Sequence, residues 1–263
     1  MLIIYDFISY TDVFTYNITT LESLLIYAMK TITYQSDYLG NGFEFATINQ
    51  PDDYEGKVVA TVIRKQYSMP SNKAVLYVHG FNDYFFQSEM AQKFNEKGFH
   101  FYAVDLRKYG RSTLPHQKSN NMRSLTEYFA DLDEALDIVR QEGNEQVLLS
   151  GHSTGGLLVT LYASERVGNE KFDTIFCNSP FYDMNMPGYQ KRLLVPLVAL
   201  FGKYFPDVLL PGKISEWYGH SLHGEKKGEW DYNLVWKPHL VPALNAGWIS
   251  AIHQGHTKIK KGI

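Results

Sequence analysis

The run EQVLLSGHSTGGLLVT, residues 145–160, decides how the rest of the chain is read. Val147-Leu148-Leu149 is a short apolar run of the kind that forms a buried strand, and a helix-like apolar stretch follows Gly156. Between them lies Gly151-His152-Ser153-Thr154-Gly155, a G-x-S-x-G pattern in the strand-to-helix context required of a nucleophile elbow. So sharp a turn holds its serine in a strained backbone, and Gly151 and Gly155 leave room for the chain to close around it. Ser153 Oγ then stands clear of a sheet at the N-terminal end of a helix, where backbone N–H groups can stabilise a developing oxyanion.

Upstream of this turn the pattern alternates. Phe43–Asn49 and Lys57–Lys65 read as strands of a β-hairpin joined by the turn-forming residues 50–56. Ala74–Val78 is a continuous apolar run suited to a strand buried on both faces, and it ends in His79-Gly80-Phe81-Asn82-Asp83. Gln87–Lys97 has helical periodicity, with Met90, Ala91 and Phe94 on one face, and stops at Gly98. Phe99–Val104 is the next strand, followed by residues 105–112, DLRKYGRS. Ser124 and Glu127 form a capping box for a helix to about Glu142 that buries Leu125, Phe129, Leu132, Leu136 and Val139. The helix after the elbow runs to about Arg166, and Phe172–Asn178 is one further strand, followed by Ser179-Pro180-Phe181.

Strands alternating with helices predict an α/β fold with a mainly parallel sheet, whose site lies beyond the carboxyl ends of the strands. The loops at residues 79–83, 105–112, 151–156 and 178–181 all fall on that edge. From about 181 to 247 the alternation fails, and Pro187, Pro206, Pro238 and Pro242 break an aromatic-rich stretch, which includes the run Leu193–Phe201, into what reads as short helices. Because this excursion begins at a strand end on the active edge, it is read as a helical cap over the serine. A last helix, about Ala246–Lys261, closes the chain.

Composition narrows the function. A chain of 263 residues suits one large α/β domain, and a net charge of −3 gives no ground for a nucleic-acid partner. The single cysteine, Cys177, excludes an intrachain disulfide and reads as a small buried hydrophobe. Residues 1–28 contain no Lys or Arg, so the basic region of a secretory signal is missing. Asp6, Asp12, Asn17 and Glu22 interrupt the apolar run too often for a membrane span, and a cytoplasmic location is expected. The sequon Asn17-Ile18-Thr19 is read as chance. Residues 1–35 are read as an extension outside the core fold, with Met29 an alternative start and residues 36–263 the domain proper.

LYVHGFNDYFFQ (76–87), FYAVDLRKYGRS (101–112) and SGHSTGG (150–156), in this order, resemble the α/β-hydrolase superfamily, and within it the serine aminopeptidase-like branch that includes lysophospholipases and monoacylglycerol lipases. The resemblance spans about Ser36 to the C-terminus. It implies hydrolysis of a small acyl ester or lipid-like substrate, less often an amide, by a Ser–His–Asp triad with no cofactor. It implies Ser153 as nucleophile and the backbone N–H groups of Phe81 and Thr154 as oxyanion hole. His79, Gly80, Asp105, Arg107, Gly151, His152 and Gly155 are then loop supports, with Asp105 and Arg107 read as a buried carboxylate–guanidinium pair.

The departure from the family is at the end of the chain. There the acid should follow a strand after the cap, and the histidine should follow the last strand. No apolar strand follows Trp248 and no Asp follows Asp231, so the last two strands, the acid, the base and the final helix are expected to be missing by C-terminal truncation. His220, His223, His239, His253 and His256, with Asp183, Asp207 or Asp231, have no spacing that specifies a triad. His253 and His256 stand at i, i+3 without a third ligand, so no metal site is assigned. Truncation would leave the strand at 172–178 as an apolar sheet edge, and self-association through it is expected. The sequence is compatible with an ester hydrolase, with a catalytically inactive product or binding module, and with a serine aminopeptidase.

Overall fold

The computed structural model describes residues 32–166, 168, 171–211, 216–241 and 243–262. The sequon at Asn17 and the alternative start at Met29 lie outside the described residues, and of the segment 1–35 only residues 32–35 are described. Residues 34–263 form one unit, which carries the whole sheet.

The described strands are β1 (Gln35–Ser36), β2 (Glu44–Asp53), β3 (Gly56–Lys65), β4 (Lys73–Val78), β5 (His100–Asp105), β6 (Gln146–His152) and β7 (Thr174–Asn178). They form one sheet in the order β1-β2-β3-β5-β4-β6-β7. The first three strands are antiparallel neighbours and β3 runs antiparallel to β5, whereas β5, β4, β6 and β7 run parallel. The hairpin strands are longer than the sequence pattern predicts, and the turn shrinks to Asp53–Gly56, where Gly56 takes φ +92°. β4 is buried from Ala74 to Val78, as its unbroken apolar run requires of a strand covered on both faces. Phe43, Ile63, Val75, Tyr77, Phe85, Ala91, Phe101 and Ala103 form a core cluster, with Met90 and Phe94 packed against it.

Helix α1 (Ser88–Glu96) stops at Gly98, which takes φ +81°. The capping box at Ser124 and Glu127 forms as read, with one difference. The first turn, Leu125–Tyr128, is 3₁₀, and the α-helix α2 spans Phe129–Gln141. All five core residues predicted for this segment are buried. Helix α3 (Thr154–Glu165) follows the elbow and is buried from Thr154 to Tyr162.

Beyond β7 the expected helices lie between prolines, but the first is longer than the sequence reading predicts. α4 spans Gly188–Tyr204 with Pro196 inside it. A proline interrupts one helical hydrogen bond, but packing can outweigh that loss. α4 buries Val195, Ala199 and Gly202 against α6 (Ala246–Lys260), and a Cβ on Gly202 would come within 2.0 Å of Ala246 O. The other side of α4 leaves Leu193, Leu197, Leu200 and Tyr204 exposed. A short helix α5 covers Trp217–Leu222. Residues 206–210 return against 244–247 through Leu210 N–H to Leu244 O (2.8 Å), Ala246 N–H to Val208 O (2.9 Å) and Gly247 N–H to Pro206 O (3.0 Å).

β7 is an edge of the sheet and carries Ile175 and Phe176 exposed. Cys177 is half-buried, its Sγ 3.7 Å from Gly156 O. Among the described residues no helix is long and apolar enough to cross a membrane.

Candidate active site

Crowding builds the elbow. A Cβ on Gly151 would lie 2.5 Å from Gly155 O, and one on Gly155 would lie 2.3 Å from His79 O and 2.4 Å from Val78 O. Only glycine fits where backbone meets backbone at such distances. Ser153 sits between them at φ 53°, ψ −117°, a conformation that is strained for any residue with a side chain. Its backbone is fastened on both sides: Ser153 N–H donates to Asn178 O (3.1 Å), and Ser153 O accepts from Phe181 N–H (2.9 Å) and Leu157 N–H (3.1 Å). The loop after β7 thus holds the serine from one side while α3 grows from the other.

Ser153 opens on a cavity of about 260 Å³ that Gly80, Phe81, His152 and Thr154 also line. Gly80 is close enough that a Cβ there would meet Ser153 Cβ at 3.1 Å. The amides of Phe81 and Thr154 donate no hydrogen bond to another described residue. Nor does Ser153 Oγ hydrogen-bond any described side chain, including His220, His223, His239, His253 and His256. Asp183 is paired with Lys191 and Lys260, which pull its pKa down to about 2. Asp207 is paired with Arg123, and Asp231 is fully exposed.

His79 is spent on structure. It is buried, its Nδ1 lies 2.8 Å from Gly80 O, and its Nε2 accepts Leu106 N–H at 3.1 Å. Those roles fix the Nδ1–H tautomer and leave no ring nitrogen for substrate. His152 faces the cavity, and burial holds its pKa below the ordinary imidazole value; Asp83 works against the shift while Lys237 and His79 add to it.

The expected pair between Asp105 and Arg107 does not form. Arg107 instead binds Asp131 of α2, Nη2 to Oδ1 at 2.7 Å, with Asp131 fully buried. Asp105 binds Arg111 at 2.8 Å and accepts Phe85 N–H, and Arg111 also binds Asp37 at 2.7 Å. The cause is that β5 ends at Asp105, and the chain then turns through Lys108 at φ 65° and Gly110 at φ 47°. Both carboxylates still brace loops; neither lines the cavity.

The cap supplies the rest of the wall with Tyr218, Tyr232, Lys237, His239 and Val241, and α6 adds Trp248, whose ring lies 4.8 Å from that of Phe81. Lys237 Nζ is 2.6 Å from Asp83 Oδ1, and both groups are buried. Sequence reading found Asp83 only as part of the 79–83 loop and gave no signal for Lys237, because the two stand 154 positions apart. Tyr232 is pushed up to about 12 by burial, with Asp83 adding to it.

Solved structures share this architecture. A soluble variant of monoglyceride lipase from Saccharomyces cerevisiae, in complex with a substrate analog, is 18% identical with a TM-score of 0.55, covering 88% of this chain and 69% of that one. A monoacylglycerol lipase from Paleococcus ferrophilus is 19% identical with a TM-score of 0.53, covering 76% and 72%. A highly thermostable carboxyl esterase from Bacillus coagulans, in complex with glycerol, is 17% identical with a TM-score of 0.58, covering 82% and 73%. No protein of curated function matches the sequence. The family described as Serine aminopeptidase, S33, matches residues 69–231, from just before β4 through the elbow and into the cap. The chain belongs to that family, and its fold is that of the α/β-hydrolases.

Proposed function

We propose that this protein is a serine hydrolase of carboxylic esters with apolar acyl groups, with Ser153 as nucleophile and the Phe81 and Thr154 amides as oxyanion hole. The observation that carries the reading is Ser153, strained at φ 53° between two backbone-crowded glycines and opening on an aromatic-walled cavity beside two unspent amides. Ser153 Oγ attacks the ester carbonyl carbon, and the tetrahedral oxyanion falls to the two N–H groups. Collapse expels the alkoxide, which takes up the proton given up by the serine and departs as the alcohol, and water then releases the acid from the acyl-serine. Lipid-like esters of the acylglycerol or lysophospholipid kind fit a wall of Phe81, Phe181, Tyr218, Val241 and Trp248.

The aminopeptidase alternative calls for an acidic group to hold a substrate amine. Asp83 lines the cavity, but Lys237 at 2.6 Å already neutralises it, which favours the ester reading. The acid and base of a triad are not assigned within the described residues. A non-catalytic product or binding module is the second reading, favoured by the absence of any described partner for Ser153 Oγ. A fluorophosphonate probe separates the two: labelling of wild type that disappears in Ser153→Ala is expected, whereas folded wild type that does not label leaves only the binding reading. We further propose that a second copy pairs along β7 through Ile175 and Phe176, so Phe176→Lys is expected to lower the mass seen by light scattering.

A further inference from the structure

We propose that the cap carries a binding site for a divalent transition metal ion of the Zn²⁺ class, built from His223, Glu225 and His239. A ligand atom of each lies within 4.8 Å of those of the other two. The feature that calls for a ligand is His239. Both its ring nitrogens are shut off from solvent, and neither has a hydrogen-bond partner. Leaving one buried polar group unpaired forfeits about 1–3 kcal/mol, so an imidazole with two such nitrogens needs an explanation.

The surroundings hold the ring in place. A Cβ on Gly219 of α5 would meet His239 Cα at 2.8 Å and Nδ1 at 3.0 Å, so only glycine lets this segment lie so close to the helix. The His220 ring stands 5.0 Å from that of His239, and the His223 ring 5.3 Å.

The hydrogen bonds of His223 fix its tautomer. Its Nε2 lies 3.1 Å from Tyr232 O, and its Nδ1 accepts Glu225 N–H at 3.1 Å. Nε2 therefore carries the proton and Nδ1 the lone pair. A ligating histidine commonly donates its other N–H to a carbonyl in this way. The ion takes the Nδ1 lone pair in place of the Glu225 amide. Glu225 is exposed and brings its negative charge without a desolvation penalty. Tetrahedral Zn²⁺ with bonds of about 2.0 Å sets its ligand atoms about 3.3 Å apart, so the cluster closes by up to about 1.5 Å on binding. Two imidazoles and one carboxylate suit a borderline ion, whereas Mg²⁺ and Ca²⁺ prefer oxygen.

An ion here ties the turn after α5 to the segment carrying His239, which lines the Ser153 cavity. It stiffens the cap wall without touching Ser153, whatever that serine does. The test uses the full chain without a histidine tag, stripped with a chelator and titrated with Zn²⁺ against a chromophoric chelator. The expected result is one Zn²⁺ per chain and a higher melting temperature with Zn²⁺, neither reproduced by Mg²⁺. His239→Ala and Glu225→Gln are each expected to weaken binding about tenfold or more, while Ser153→Ala retains it. Exposed Glu225 gives a readable variant even if His239→Ala does not fold. Wild type that binds no Zn²⁺, binding unchanged in Glu225→Gln, or binding lost in Ser153→Ala overturns the proposal.

Discussion

The sheet side and the cap side of the Ser153 cavity are held by opposite means. On the sheet side, backbone touches backbone: Gly151 against Gly155, and Gly155 against the carbonyls of Val78 and His79. On the cap side, long-range polar contacts reach down to the core: Lys237 to Asp83 at 2.6 Å, Asn82 Nδ2 to Pro238 O at 3.2 Å, and Asn233 N–H to the Tyr84 hydroxyl at 2.7 Å. Crowded backbone permits one geometry. A wall joined by single side-chain contacts can be loosened one contact at a time.

The largest test of that contrast is Gly155→Val. Every atom in its way is backbone at the end of β4, so a loss of more than about 3 kcal/mol, or of the folded state itself, is expected from urea unfolding. A wild-type midpoint would end the crowding account. Next come two buried ion pairs on the two sides. Asp131→Ala strands Arg107 in the core and is expected to cost about 3–5 kcal/mol. Lys237→Met strands Asp83, but the cap wall can part and admit water, so a smaller loss in the urea midpoint and faster proteolysis within residues 216–241 are expected. Equal losses without new cleavage would mean that the two walls are equally rigid.

The smallest effect is on pH. His152, His239 and His256 are all held below the ordinary imidazole pKa, chiefly by burial. Below the unfolded-state value of about 6.5 the unfolded chain binds more protons than the folded one, so stability rises with pH across that value and falls as the solution is acidified. Unfolding midpoints at pH 7.5 and 5.5 measure this. His256→Gln, in the core and beside Phe181 O at 2.7 Å, should remove part of the slope; an unchanged slope would assign it to the other two rings.

The same contrast sets what was legible in the sequence. The sharp turn at Ser153 was, because its glycines and serine act on one another within five positions. The capping box at Ser124 and the stop at Gly98 were legible for the same reason, each being a contact between near neighbours. Arg107 was assigned to Asp105, two positions away, because proximity in sequence was the only guide; the turn through Lys108 and Gly110 sends it to Asp131 on α2. The length of α4 is not legible locally, because its packing on α6 carries it through Pro196. Lys237 and the histidine cluster were invisible because nothing local marks a contact made only by tertiary packing.

The paired segments 206–210 and 244–247 have a consequence of another kind. The chain leaves and re-enters the body of the molecule at one place, fastened by three backbone hydrogen bonds and by the close crossing of Gly202 on Ala246. The stretch between Leu210 and Leu244 therefore has its two ends already joined. A stretch joined in this way can be exchanged for one of different length or wall chemistry without separating the segments that flank it. Variation in what the cavity admits can then accumulate in that stretch, at little risk to the elbow.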